Sequence, residues 1–146
     1  MFPGSWFAIS GGTLQTGQMA QIKVYGRRDI WAGKQRRISD LLQECLGSAW
    51  RLPSDKRFHR FLLLDPEDMI CPQRSDRYLI IEVLCFTGRS DDAKRELIRT
   101  VYERLAPDLD LPVDDIELAI VEMPKVNWGI RGVPADELSL GYPVNL

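Results

Sequence analysis

The order of periodicities along this chain predicts an α/β (α+β) fold, in which two strand–helix–strand units share one four-stranded sheet with both helices on one face. Three observations carry the prediction. Short alternating or wholly apolar stretches recur at four places, and two segments between them carry apolar residues at helical spacing. The two units repeat the same order, and their strands start at Gln21 and Tyr78, about 57 residues apart. A right-handed crossover between parallel strands joins each pair. The face of the sheet away from the helices is left open and partly apolar, which favours self-association.

Each element has its own signature. Gln21 to Tyr25 alternates, with Ile22 and Val24 on one side, and Gly26 reads as its end. From Lys34 to Leu46, the residues Ile38, Leu41, Leu42 and Cys45 form one helical stripe, and Gly47 reads as the stop. Pro53 and Ser54 turn the chain into a strand at Phe58 to Leu64, closed by Asp65 and Pro66. Tyr78 to Phe86 is nearly all apolar and reads as a buried central strand. Ser90 is a good N-cap, with Asp91 and Asp92 in the first turn that follows. Leu97, Ile98, Val101 and Leu105 give this helix its apolar face, and Pro107 reads as lying just beyond it. Asp115 to Met123 is the fourth strand, and Asn127 to Gly132 a glycine-framed hairpin or loop.

Length and composition narrow the function. The 146 residues suit one domain, read here as 19–146 behind an uncharged leader at 1–18. A net charge of −2 gives no reason to expect nucleic acid or an anionic membrane as partner. Three cysteines without paired spacing suggest reduced thiols and a cytoplasmic protein, and they argue against a Cys-x-x-Cys redox protein. With a single histidine, a multi-histidine metal site is excluded, and nothing calls for a cofactor. The leader's Phe2, Trp6 and Phe7 would suit packing on a partner subunit.

Several stretches together resemble the tautomerase superfamily, and in particular its malonate semialdehyde decarboxylase-like branch. They are MAQIKVYG from Met19, LPSDKRFHRF from Leu52, DRYLIIEVLCFTGRSDDAKRELI from Asp76 and VEMPKVNWGIRG from Val121. The resemblance implies a homotrimer acting on a small carboxylate substrate. It also implies a catalytic N-terminal proline whose amine opens the first strand. An α-amine titrates near 7.7–8.0, which suits a base working near neutral pH. Here the matching residue is Ala20. If Met19 starts the chain and is removed, Ala20 presents a primary amine that can take a proton or form a Schiff base. If Met1 starts it, the nitrogen of Ala20 is an amide and that chemistry is lost.

The resemblance also assigns the other candidates. Arg89 matches the arginine that binds the substrate carboxylate, a task suited to a permanently charged, bidentate guanidinium. Thr87 stands where the decarboxylase branch has a second arginine, and Lys56 where it has an aspartate that helps activate water. Trp128 matches an aromatic of the pocket wall. His59 is a candidate proton shuttle, with Arg57 on the same face of its strand. The charged loop from Arg74 to Arg77 could cap a neighbouring pocket. The expectation is therefore an isomerase-like protein acting on, or descended from enzymes acting on, small keto/enol carboxylic acids by proton transfer or hydration. Its proline-dependent activity is expected to be weak or absent, with decarboxylase or hydratase side activity open to it. The alternative is a non-catalytic trimer that binds a metabolite or a protein.

Overall fold

The computed structural model describes residues 19–138. The leader and its aromatic residues lie outside the described residues. Strand β1 (Ala20–Arg27) leads into a short helix α1 (Arg28–Trp31), the long helix α2 (Gln35–Trp50) and strand β2 (His59–Leu64). Strand β3 (Leu79–Phe86), helix α3 (Asp91–Asp108) and strand β4 (Ile116–Met123) repeat the pattern. A hairpin of β5 (Gly129–Ile130) and β6 (Val133–Pro134) follows.

The sheet order is β2-β1-β3-β4, which sets the two strand–helix–strand units side by side. β1 runs parallel to β2, β3 runs parallel to β4, and the central pair β1–β3 is antiparallel. Alternation puts Ile22, Val24, Leu79, Ile81, Val83 and Cys85 on the helix side, each at most 1% exposed. Ile38, Leu42 and Cys45 of α2 and Leu97, Val101 and Leu105 of α3 close over them in one core. Removing each large side chain from water contributes about 1.5–3 kcal/mol, so this layer is the main source of stability.

Among the described residues no helix covers the other sheet face. Leu62 and Val121 stand 38% and 42% exposed. Near its centre Glu82 accepts from the Tyr25 hydroxyl at 2.9 Å and pairs with Lys23 at 3.7 Å.

Strand starts shift by one residue from the sequence reading, and three element ends differ for a physical reason. Gly26 does not end β1. It lies within the strand because a Cβ there would come 2.8 Å from Cδ1 of Trp31. Gly47 does not stop α2, which runs on to Trp50 and closes with Arg51 in the left-handed conformation at φ 56°. The buried anchors Leu46 and Trp50, on either side of Gly47, outweigh its poor helix propensity. Pro107 lies inside the last turn of α3 rather than beyond it, and Leu111 N–H closes on Ala106 C=O at 2.8 Å. The predicted cap is present: the Ser90 hydroxyl accepts from Ala93 N–H at 3.1 Å. Asn127 to Gly132 forms the first arm and turn of the hairpin, with Arg131 and Gly132 at φ 54° and 88°.

Candidate functional site

The register aligns three residues across one end of the sheet. Ala20 of β1 stands opposite Cys85 of β3, and Cys85 stands opposite Glu122 of β4. Directly opposed residues share a face, so this row continues the inward apolar stripe. Ala20 is 4% and Cys85 0% exposed. Met19, one residue earlier, joins a separate small cluster with Phe86, Ala135, Trp128 and Ile130. The rings of Phe86 and Trp128 meet edge-on with centroids 4.9 Å apart. Trp128 therefore covers Met19 and Phe86, while the Ala20 row lies on the other side of the strands.

Arg89 enters this row from the turn after β3. Thr87 N–H bonds Met123 C=O at 2.9 Å, and Gly88 takes φ 141°, which redirects the chain into α3. The Arg89 guanidinium then lies 3.9 Å from the ring centroid of Trp50, at the end of α2. Trp50 is itself fixed, because its Nε1–H donates to Ala93 C=O at 2.9 Å. Burial lowers the proton affinity of Arg89, and the Cys85 thiol and the Glu122 carboxylate beside it partly restore it. Burial likewise pushes the Cys85 thiol up, so it stays protonated. Both terminal nitrogens of Arg89 are buried without a hydrogen-bond partner among the described residues.

Glu122 completes the row. Its Oε1 accepts from Lys94 of α3 at 3.0 Å, while its Oε2 is buried and unpartnered among the described residues. Lys94 also reaches Asp91 at 3.5 Å. Leaving a buried charged donor or acceptor unmatched costs about 1–3 kcal/mol or more. Among the described residues, the end of the sheet thus holds two guanidinium nitrogens with no oxygen acceptor, beside the Cys85 thiol, and one carboxylate oxygen with no donor.

The remaining candidates lie apart from this cluster. His59 stands opposite Ile22 on the edge strand and turns toward α2. Its Nδ1 and the Ser39 hydroxyl share a hydrogen bond at 2.7 Å, and Arg57 donates to the same Ser39 oxygen at 3.3 Å and to Asp40 at 2.5 Å. Burial first, and then the charge of Arg57, push the imidazole down to about 4. A cavity of about 370 Å³ opens between this group and Gln35, Arg36 and Phe61. Arg57 is engaged by Asp40 rather than turned toward Ala20. Lys56 is half-buried, and its proton affinity is lowered by burial and by Arg131 of the hairpin turn. Thr87 is exposed. The loop from Arg74 to Arg77 is tied down within the chain: Ser75 bonds Asp115, and Arg77 donates to the Asp110 and Leu109 carbonyls. Among the described residues no cluster of histidine, cysteine or acidic side chains has the makings of a metal site.

Sequence reasoning missed Glu122, Lys94 and Trp50. Glu122 carried a usable signal. It follows Ile116, Leu118 and Ile120 at the same alternation, so a charge continues an inward-facing stripe. Trp50 carried none, since only the packing of α2 against α3 brings it beneath Arg89.

A family model described as tautomerase enzyme matches residues 56–131, just over half of the chain. The 2-hydroxymuconate tautomerase of Pseudomonas putida is 42% identical over 60 residues, which are 41% of this chain and 95% of that protein. Its counterpart from Stutzerimonas stutzeri is 43% identical over 56 residues, covering 38% of this chain and 89% of that protein. Among solved structures, FG41 malonate semialdehyde decarboxylase inhibited by 3-bromopropiolate superposes with a TM-score of 0.69 at 26% identity, over 80% of this chain and 92% of that one. Native fused 4-OT superposes with a TM-score of 0.72 at 21% identity, over 81% of this chain and 98% of that one, a likeness of fold.

Proposed function

Because the chain belongs to the tautomerase family, we propose that it acts on small keto/enol carboxylic acids by proton transfer, with Arg89 holding the carboxylate. The observation that carries this reading is the pair of buried Arg89 nitrogens without an acceptor. A guanidinium stacked on Trp50 keeps its planar fork in one orientation, and a carboxylate is the acceptor that matches that fork. The relatives act on 2-hydroxymuconate or, in one superposed structure, malonate semialdehyde, by their names. Both names describe small acids with a carbonyl or enol beside the reacting carbon.

The same reading places the chain near the malonate semialdehyde decarboxylase-like branch, with Lys56 and Thr87 departing from its pattern. While Met19 precedes it, Ala20 holds a peptide nitrogen, so proline-type amine catalysis is weak or absent. Hydration stays within reach of the same site. One superposed structure is the asymmetric trimer of R7 fused 4-OT. The open sheet face, with Leu62 and Val121 exposed, is the surface a trimer of this chain would cover. No helix among the described residues is long and apolar enough to cross a membrane, and we place the protein in the cytoplasm.

Substituting Arg89→Ala tests the reading. Losing a charge-assisted, bidentate contact should raise KM for a 2-oxo acid roughly 10- to 100-fold. An unchanged KM would remove Arg89 from the binding role. The second reading, a non-catalytic binding protein, is favoured by one observation: Met19 is packed against Phe86 and Ala135, which keeps the Ala20 nitrogen inside the chain. Turnover abolished by acetylating the N-terminal amine would exclude it.

A further inference from the structure

Arg89 and Glu122 are electrostatically coupled, yet they do not close on each other. Among the described residues Arg89 has only the Cys85 thiol as a hydrogen-bonding neighbour, both of its Nη nitrogens meet no oxygen acceptor, and Oε2 of Glu122 meets no donor. Buried polar groups are almost always satisfied. A donor and an acceptor left open side by side mark the place of a molecule that bridges them. As residues, Arg89 and Glu122 are each only half-buried, so the gap lies just under the surface at the sheet's end.

We propose that Glu122 is the proton-transfer group of this site, and that the bridging molecule is a small 2-oxo or 2-hydroxy-2-enoic acid. The inference rests on the proposed function and adds the base that Ala20 does not supply while Met19 is attached. In the enol-to-keto direction the substrate carboxylate lies on Arg89. Oε2 of Glu122 accepts the proton of the C2 hydroxyl. The electrons of that O–H bond form the C2 carbonyl, and the C2=C3 pair takes a proton at C3 from the Glu122 carboxyl. Proton and electrons balance within the substrate and one carboxyl group, with no redox partner.

The surroundings fit this role. Lys94 holds Oε1 at 3.0 Å and so fixes which oxygen faces the gap. The groups facing Glu122 are Lys94 from α3, with Asp91 behind it, Arg89 from the turn, and the protonated Cys85 thiol from β3. Trp50 of α2 and Ala20 of β1 bring no titratable side chain. The competing bases are poorly placed or poorly suited. Cys85 is held as a thiol, and the His59 ring lies at the edge strand, hydrogen-bonded to Ser39.

The test uses the full chain with phenylenolpyruvate as probe and the loss of its ultraviolet absorbance as readout. Glu122→Gln keeps the shape and the contact with Lys94. It should lower kcat about 100-fold or more, leave KM within about threefold, and abolish the acidic limb of the pH–rate profile. Glu122→Asp, which withdraws the carboxyl but keeps its charge, should lower kcat and retain that limb. It serves equally well if the glutamine variant does not fold. Turnover in Glu122→Gln within threefold of the parent overturns the inference. If Arg89→Ala still raises KM in that case, the proposed function stands without it. A parent protein that turns over no enol acid overturns both.

Discussion

The Ser39–His59–Arg57 chain makes folding depend on pH in a way that can be worked out. The half-buried His59 ring shares a hydrogen bond with the Ser39 hydroxyl, whose oxygen also accepts from the Arg57 guanidinium. Protonating the ring would place a charge in a buried position close to the Arg57 cation. Burial first, and then that cation, take the imidazole from 6.5 down to about 4, against the opposing pull of Asp40. The folded state therefore resists a proton that the unfolded chain accepts. Above pH 6.5 both states are neutral and this site favours neither. As the pH falls from 6.5 to about 4, the unfolded state binds more protons and stability declines. Each pH unit in that window is worth about 1.4 kcal/mol, so the loss approaches roughly 3 kcal/mol, less whatever residual solvent access recovers. Urea unfolding from pH 7.5 to 4 should show this decline in the parent. The steeper part of it should vanish in His59→Gln, which titrates nowhere in the window. A His59→Gln variant with the same pH dependence as the parent would refute the argument.

Two packing predictions accompany it. Trp50→Ala removes a ring that is 6% exposed and supports Arg89. It should cost about 3–5 kcal/mol in chemical denaturation, and Trp50→Phe, which keeps a ring face, markedly less. Gly26→Ala forces a Cβ to within 2.8 Å of Cδ1 of Trp31 and 3.0 Å of Cδ2 of Leu79. It should lower Tm with a loss of about 1–3 kcal/mol, and an unchanged Tm would mean that the Trp31 ring shifts freely.

Much of the fold was legible because a half-buried strand and an amphipathic helix impose different periods. Ile22 and Val24 two apart, and Ile38, Leu41, Leu42 and Cys45 at helical spacing, could not exchange roles. The errors arose at glycines. Local propensity reads Gly26 and Gly47 as breaks, whereas the structure needs the first for its missing side chain and tolerates the second between two buried anchors. The four-residue helix Arg28–Trp31 was invisible because it spans about one turn, too short to display a period. At the site, Arg89 was singled out by the resemblance, and its place at a strand-to-helix turn was legible from the sequence. The shared inward face of Arg57 and His59 was legible too, but their bonding to Ser39 and Asp40 was not, since that depends on how α2 crosses the edge strand. Glu122 could have been read from its place in the Ile116, Leu118, Ile120 stripe. Its coupling to Arg89 needed the register between β3 and β4.

Enzymatic proton transfer at the Arg89 end of the sheet is most directly tested by the stereochemistry of deuterium uptake. Ketonisation of phenylenolpyruvate in deuterium oxide by the full chain should give one enantiomer at C3, because Arg89 presents a single face of the enol to the proton donor. Racemic product formed at the rate of buffer alone would contradict the account.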